Sequence, residues 1–329
     1  MHRRSLMTAA AAGLGLALTG CGRPDSGLVP VRTLPSGPVV LGFSQVGSES
    51  GWRLANTASI KKAAERNRVD LIFKNADGDQ NRQIADIRSF IDAKVTAIAF
   101  SPVVEKGYDQ VLREARDAKI PVILTDRLIE TADPSLYVSS IGAEFTSEGN
   151  LAAIYLENLY TSAQQTVNVA QILGTSGATP TKLRSEGFTA TAAARGGKLK
   201  IVASDTGNWT VDGGEAAMRR LLRKVPRIDA VFAQNDDMGL GAVKALEAAG
   251  KKPGTEVRLV TVDATKKGLQ GLIDGKLNYV VECSPMIGEQ LMSVVVAIFL
   301  GTRVEKRISS EKNVFDAISA KDVLGDRPY

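Results

Sequence analysis

The 329 residues, 44% hydrophobic and 23% charged, are ordinary for a soluble globular protein. They are enough for two domains with real cores and no disulfide scaffold. Lysine and arginine outnumber aspartate and glutamate by 41 to 36, for a formal net charge of +5. The basic residues are scattered along the chain, which fits solvated helix faces and speaks against a nucleic-acid patch.

The first element in chain order is an export segment. His2, Arg3 and Arg4 open it, a small apolar stretch follows over 6–18, and Leu18-Thr19-Gly20-Cys21 then sets two small residues before a cysteine. The apolar stretch is too short to span a bilayer comfortably. The arrangement resembles a lipoprotein signal. That resemblance implies a signal peptide over 1–20, removed on export, and a diacylglyceryl group on Cys21 that anchors the protein to the membrane outside the cytoplasm. An ordinary secretory signal with a chance cysteine is the plainer alternative, and Arg3-Arg4 also fits a weak twin-arginine pattern.

Cleavage would remove His2, the one histidine of the chain. A mature protein without histidine can hold neither a Ser-His-Asp nor a Cys-His catalytic set, nor the usual zinc ligands. No catalytic residue, metal or cofactor is therefore expected, although carboxylate-only chemistry and calcium sites survive the exclusion. With Cys21 acylated, Cys283 has no partner for an internal disulfide and is expected to be a small buried residue.

Residues 21–38 are rich in Gly, Pro and Ser and read as a flexible tether. Beyond them, short apolar runs predict strands over 39–46, 70–75, 97–101, 121–125, 166–173, 199–204, 229–234, 257–262 and 277–282. Amphipathic helical stretches lie between most of them. Met238, Val243, Leu246 and Ala249 fall near one helical face, and Gly250 before Lys251-Lys252-Pro253 stops that helix. This alternation predicts an α/β protein of βαβ units, with too many units for one small sheet. The apolar run 291–300 is expected to be the end of a buried helix.

In open α/β sheets, ligands bind outside the carboxyl ends of the strands. Those ends carry Glu49, Trp52 and Arg53 after the first strand, Asp126-Arg127 after the fourth, Asn235-Asp236-Asp237 after the seventh, then Asp263 and Glu282. Carboxylates, an amide, arginines and a tryptophan suit a neutral polyhydroxylated ligand. Each has a plain structural alternative. Asp and Asn after strands are common helix caps, Trp52 could be core, and Asp126-Arg127 could be a structural ion pair. Gly239-Leu240-Gly241 lacks the third glycine of a dinucleotide fingerprint, and the chain has no Walker-type loop. It is therefore not the ATPase of a transporter.

The stretch Gly42-Phe43-Ser44-Gln45-Val46-Gly47-Ser48-Glu49-Ser50-Gly51-Trp52 resembles the opening of the galactofuranose-binding subgroup of the ribose-binding-like, type I periplasmic binding proteins. Ser101-Pro102-Val103-Val104, Asp126-Arg127, Gln234-Asn235-Asp236-Asp237-Met238, Val262-Asp263 and Glu282 with Ser284-Pro285 continue the likeness. It covers nearly everything after the tether. The resemblance implies two Rossmann-like lobes with parallel sheets joined by three hinge crossovers. The first lobe is expected at 39–141 and 283–305, the second at 142–282 and 306–329. It further implies ligand-binding roles for Glu49, Trp52, Arg53, Asp126, Arg127, Arg184, Trp209, Asn235, Asp263 and Glu282, with Trp52 and Trp209 covering the two faces of the sugar. Where the family often shows Asp-Phe-x-Arg, this chain has Asn208-Trp209-Thr210-Val211, which alters the contacts expected around Trp209.

The function implied is that of a monomeric, lipid-anchored solute-binding subunit of an ABC importer, capturing a monosaccharide and meeting a permease and its ATPase. A sugar-sensing protein that presents its ligand to a sensor kinase or chemoreceptor remains an alternative. So does a secreted glycosidase using Asp236 or Asp263 with Glu282. A sugar-responsive repressor of the same fold would need an N-terminal helix-turn-helix, and this chain has an export signal there.

Overall fold

Most of the short apolar runs become strands buried on both faces, the edge strands at 70–75 and 199–206 being more exposed, and each sheet is covered by helices on either side. The computed structural model describes residues 28 and 29, 37–160 and 166–329. The predicted signal segment and Cys21 lie outside the described residues. In chain order the strands are β1 (Leu28–Val29), β2 (Val40–Gln45), β3 (Asp70–Asn75), β4 (Ala97–Phe100), β5 (Val122–Thr125), β6 (Ser139–Gly142) and β7 (Val167–Leu173). Then come β8 (Leu199–Thr206), β9 (Ala230–Ala233), β10 (Arg258–Asp263), β11 (Tyr279–Glu282), β12 (Val304–Glu305), β13 (Arg307–Ser309) and β14 (Val314–Phe315). The helices are α1 (Gly51–Arg66), α2 (Gln80–Asp92), α3 (Asp109–Asp117), α4 (Phe145–Asn158) and α5 (Thr179–Ala194). They continue with α6 (Val211–Lys224), α7 (Asp236–Ala248), α8 (Lys266–Ile273), α9 (Gly288–Phe299) and α10 (Ala317–Val323).

Two six-stranded sheets result, ordered β13-β6-β5-β4-β2-β3 and β14-β11-β10-β9-β7-β8. Every pairing in the first is parallel. The second is parallel except for β14 on β11. Parallel strands covered on both faces need apolar residues at nearly every position, which is why the runs were legible. In the first lobe Leu41, Phe43 and Ile123 pack towards α1 and α9, whereas Ile98, Phe100 and Leu124 pack towards α2 and α3. In the second, Ile172, Val231 and Leu259 face α6 to α8, and Val169, Phe232 and Val260 face α4 and α5. Full burial of each such side chain contributes about 1.5–3 kcal/mol.

All nine predicted strands occur, with ends within two residues. β6 was missed because Ser139-Ser140 begins it, and both serines are buried while their hydroxyls donate to the carbonyls of Glu305 and Lys306. The run 291–299 belongs to α9, which is buried through Leu291, Met292, Val294, Val295 and Ile298, while Leu300 lies just past its end and is exposed. The chain crosses between sheets after β6, after β11 and between β13 and β14. The last crossing lies later than the predicted 305/306 boundary, because Arg307–Ser309 is paired with Ser140–Gly142 in the first sheet. Among the described residues, no helix is long and apolar enough to cross a membrane.

Candidate functional site

Parallel order brings all the carboxyl ends of a sheet's principal strands to one edge, and here the two edges face each other across a cleft. A small cavity of about 30 Å³ lies there in this closed form. Glu49, Trp52, Arg53, Asp126 and Arg127 line it from the first lobe, and Arg184, Trp209, Asn235 and Asp263 from the second. The lobes are closed on one another. The Gly51 amide donates to Asp237 at 2.9 Å, the Glu105 amide to the Gly177 carbonyl at 2.9 Å, and the Leu128 amide to the Thr179 hydroxyl at 3.1 Å.

The first-lobe wall is a chain of buried charges. Ser50 caps α1 by accepting from the Arg53 amide, which sets Trp52 and Arg53 in the first helical turn. The Arg53 guanidinium donates to Asp126 at 2.7 Å, to Glu49 at 3.3 Å and to Gln45 at 3.3 Å, and stacks 4.7 Å from the Trp52 ring centre. Burial opposes the charge on Arg53, but Asp126 and Glu49 more than offset it and raise its pKa. Arg127 donates to the Val103 carbonyl at 3.1 Å and lies 3.7 Å from Glu49. Burial, with the charge of Arg53, lowers the Arg127 pKa to about 10, so it stays protonated at neutral pH. Its guanidinium stands 5.7 Å from the Trp209 ring centre in the opposite lobe.

The second-lobe wall is organised around Arg184 and Trp209. Arg184 is buried and donates to Glu148 at 2.7 Å and to the Gln234 carbonyl at 2.7 Å. Burial pulls its pKa down, yet the charge and hydrogen bond of Glu148 raise it overall. Asn235 caps α7 through the Met238 amide at 3.0 Å, and its amide group donates to the Trp209 carbonyl at 3.0 Å. It therefore serves both as cap and as support for the aromatic wall. The Trp209 ring lies against Gly174, where an added Cβ would come within 1.8 Å of it, so only glycine leaves room for the ring. Burial, with the charge of Asp236, pushes the Asp263 carboxyl well up, while Arg184 pulls against it. Asp236, itself pushed up to about 6 by burial, accepts from Thr261 and from the amide and hydroxyl of Thr265.

Three of these residues sit in left-handed backbone that side chains other than glycine rarely adopt: Asp126 (φ 58°), Trp209 (φ 69°) and Asp263 (φ 123°). Such strain costs on the order of 1–3 kcal/mol each and collects at functional sites. Three site atoms are buried without a hydrogen-bond partner: Glu49 Oε2, Arg127 Nε and Trp209 Nε1. Donors, acceptors and aromatic faces therefore surround the cavity, as a polyhydroxylated ligand requires.

Glu282 is a correction. It was expected at the ligand, but it does not line the cavity. Arg327 lies 2.6 Å from its carboxylate, Asn313 donates to it at 2.5 Å and the Tyr329 hydroxyl at 3.0 Å. It fastens the C-terminal segment to the end of β11, and that engagement also removes it as half of a glycosidase pair. Several residues escaped the sequence reading. Ser50, Pro180 and Cys283 also line the cavity, and the Cys283 carbonyl accepts from the Trp52 indole at 2.5 Å. Glu148, fully buried beneath Arg184, carried no signal, since in sequence it is an ordinary acidic residue in the first turn of a helix. Among the described residues, no group of His, Cys, Asp or Glu is arranged to hold a metal ion.

Comparison with known proteins agrees with this geometry. Residues 41–303 match the family model for the periplasmic binding protein domain. The chain is 35% identical over 291 residues to the galactofuranose-binding protein YtfQ of Escherichia coli, covering 87% of this chain and 91% of that one. A Mycobacterium smegmatis protein solved in complex with β-D-fucofuranose is 50% identical, with a TM-score of 0.85, over 88% of this chain and 94% of that one. The periplasmic component of the arabinose ABC transporter of Shewanella sp. ANA-3, bound to α- and β-L-arabinofuranose, is 37% identical with a TM-score of 0.83, over 88% and 95%.

Proposed function

Since the chain belongs to the periplasmic binding protein family, we propose that it captures a single monosaccharide in its furanose form, with galactofuranose the leading candidate, and delivers it to an ABC permease. It is a sugar-binding protein of an ABC importer that works outside the cytoplasm, and not an enzyme. The observation that carries the reading is the closed cleft itself, in which both lobes direct charged groups and a tryptophan to one small cavity. Ring identity is supported by the sugars of the three similar proteins, which are galactofuranose, fucofuranose and arabinofuranose. Fucose is 6-deoxygalactose and arabinose lacks carbon 6, so these sugars share a five-membered ring and differ in the chain attached to it.

The mechanism follows from closure. Sugar hydroxyls that bond to both walls favour the closed form over the open one, and the ligand shifts the hinge equilibrium by that difference in affinity. The closed shape is then the surface a permease recognises. Both walls of the cleft come from one chain, which supports action as a monomer. Furanose forms are scarce for most hexoses in water, so the apparent affinity for free galactose is reduced by the fraction available, as for any scarce competent state. NMR of the protein equilibrated with galactose is expected to show selective capture of the five-membered ring. A six-membered ring bound at equal or higher affinity would sink the furanose assignment and leave the transporter role standing.

We extend the proposal to the anchor at Cys21, which rests on the order of charge, apolar run and Leu18-Thr19-Gly20-Cys21. Replacement Cys21→Ser is expected to move the protein from the membrane fraction to the soluble one. A variant that still sediments with membranes as the wild type does would rule the acyl anchor out.

A further inference from the structure

A second cavity, of about 300 Å³, adjoins the first between the lobes. It shares three wall residues with the inner cavity, Glu49, Arg127 and Trp209. Those are the residues whose Glu49 Oε2, Arg127 Nε and Trp209 Nε1 are buried without a partner. The unused hydrogen-bonding capacity of the site is thus concentrated where the two chambers meet. Beyond the junction the outer walls are mixed, with Val46 and Val103 apolar, Ser48 and Asp77 polar on one side, and Thr175 and Asn208 polar on the other. Ser48, Asp77 and Asn208 are exposed, so the outer chamber opens to solvent even though the lobes are closed.

The outer chamber, at about 300 Å³ against about 30 Å³ for the inner one, is larger than a two-carbon exocyclic chain can fill. An oxygen that links two sugar residues accepts hydrogen bonds and cannot donate, and the hydroxyls beside it do both. Two donors and one carboxylate acceptor at the junction match that set. We infer that the protein also takes furanosides, in which a furanose ring in the inner cavity is joined through an oxygen to a second sugar residue in the outer one. This inference rests on the furanose reading of the inner cavity. The structure assigns the junction residues to the linkage and the outer chamber to the second residue.

The test uses calorimetry on the full chain carrying Cys21→Ser, purified after export, with two probes: galactose, corrected for its furanose fraction, and a β-linked galactofuranosyl disaccharide. The disaccharide is expected to bind at least as tightly as the furanose monosaccharide. Thr175→Trp, which fills the outer chamber from the second lobe, is expected to weaken the disaccharide at least tenfold and change the monosaccharide less than threefold. Ser48→Trp fills it from the first lobe and serves if the other variant does not fold. A disaccharide tenfold or more weaker than the monosaccharide, or fillers that affect both sugars equally, would overturn the inference and leave the furanose reading intact. Failure of both sugars to bind would overturn both together.

Discussion

Arg184→Ala is expected to destabilise the protein by about 3–5 kcal/mol, the usual cost of removing one partner of a buried ion pair. Glu148 is fully buried, and its Oε2 accepts the 2.7 Å bond from Arg184 while Oε1 has no partner. Burial already pushes the Glu148 carboxyl up, with Arg184 pulling against it. Without the guanidinium the carboxylate is left as an unpaired charge between α4 and the second sheet, and the Gln234 carbonyl loses its 2.7 Å donor. Stacking on Phe145 and Trp209, at 5.3 and 5.8 Å, goes as well. Sugar binding is expected to fall below detection, because both Trp209 and the loop at Asn235 lose support. Urea unfolding followed by tryptophan fluorescence measures the first effect, and calorimetry the second. The double replacement Arg184→Met with Glu148→Leu removes the charges together. It should recover most of the stability without recovering binding. An Arg184→Ala protein that unfolds at the wild-type urea concentration would show that the pair contributes little to the fold.

The second large effect is expected at the opposite wall. Arg127→Ala should weaken sugar binding by about 2–5 kcal/mol, the range for truncating one charged partner in a desolvated site. At roughly 1.4 kcal/mol per decade, that is a loss of about thirtyfold or more. Arg127 is buried, keeps its proton, and has an Nε without a protein partner beside the cavity. It also lies over Trp209 of the other lobe, a contact that exists only when the cleft is closed. Its loss therefore weakens both the ligand contact and the closed state. Arg127→Lys is not expected to rescue binding, since an ammonium lacks the planar fork and the flat face that meets the indole. Asp263→Ala should also weaken binding, from the second lobe, as Asp263 is a buried hydrogen-bonding carboxyl group that lines the cavity at the end of β10. Calorimetry beside a thermal melt separates binding from folding, and unchanged affinity in both folded variants would take these residues out of the site.

How much of the site was readable depended on where each residue stands in its element. Asp126, Arg127, Asn235 and Asp263 follow apolar runs directly, so the strand that precedes each one announces its position. Trp52 and Arg53 follow a serine that caps a helix, again a local pattern. Arg184 and Trp209 have no such marker, one lying inside a helix and the other in a loop before α6. They were reached only through resemblance to the family.

The sequence by itself determined the α/β class, nine of the ten principal strands, the edge at which polar residues gather, and seven of the twelve residues that line the cavity. These properties are written in periodicity, capping and apolar runs, which act over a few residues and can be read along the chain. Tertiary structure alone decided which charge meets which. Glu148 found Arg184 across 36 positions, Asp237 met Gly51 across 186, and Glu282 was drawn away from the ligand by Arg327 and Tyr329. It also decided that the polar-looking Ser139-Ser140 begins a buried strand and that Arg307–Ser309 returns to the first sheet. An ion pair or a strand pairing depends on distance through space in a medium that excludes water, and neither quantity has a signature in the neighbouring residues.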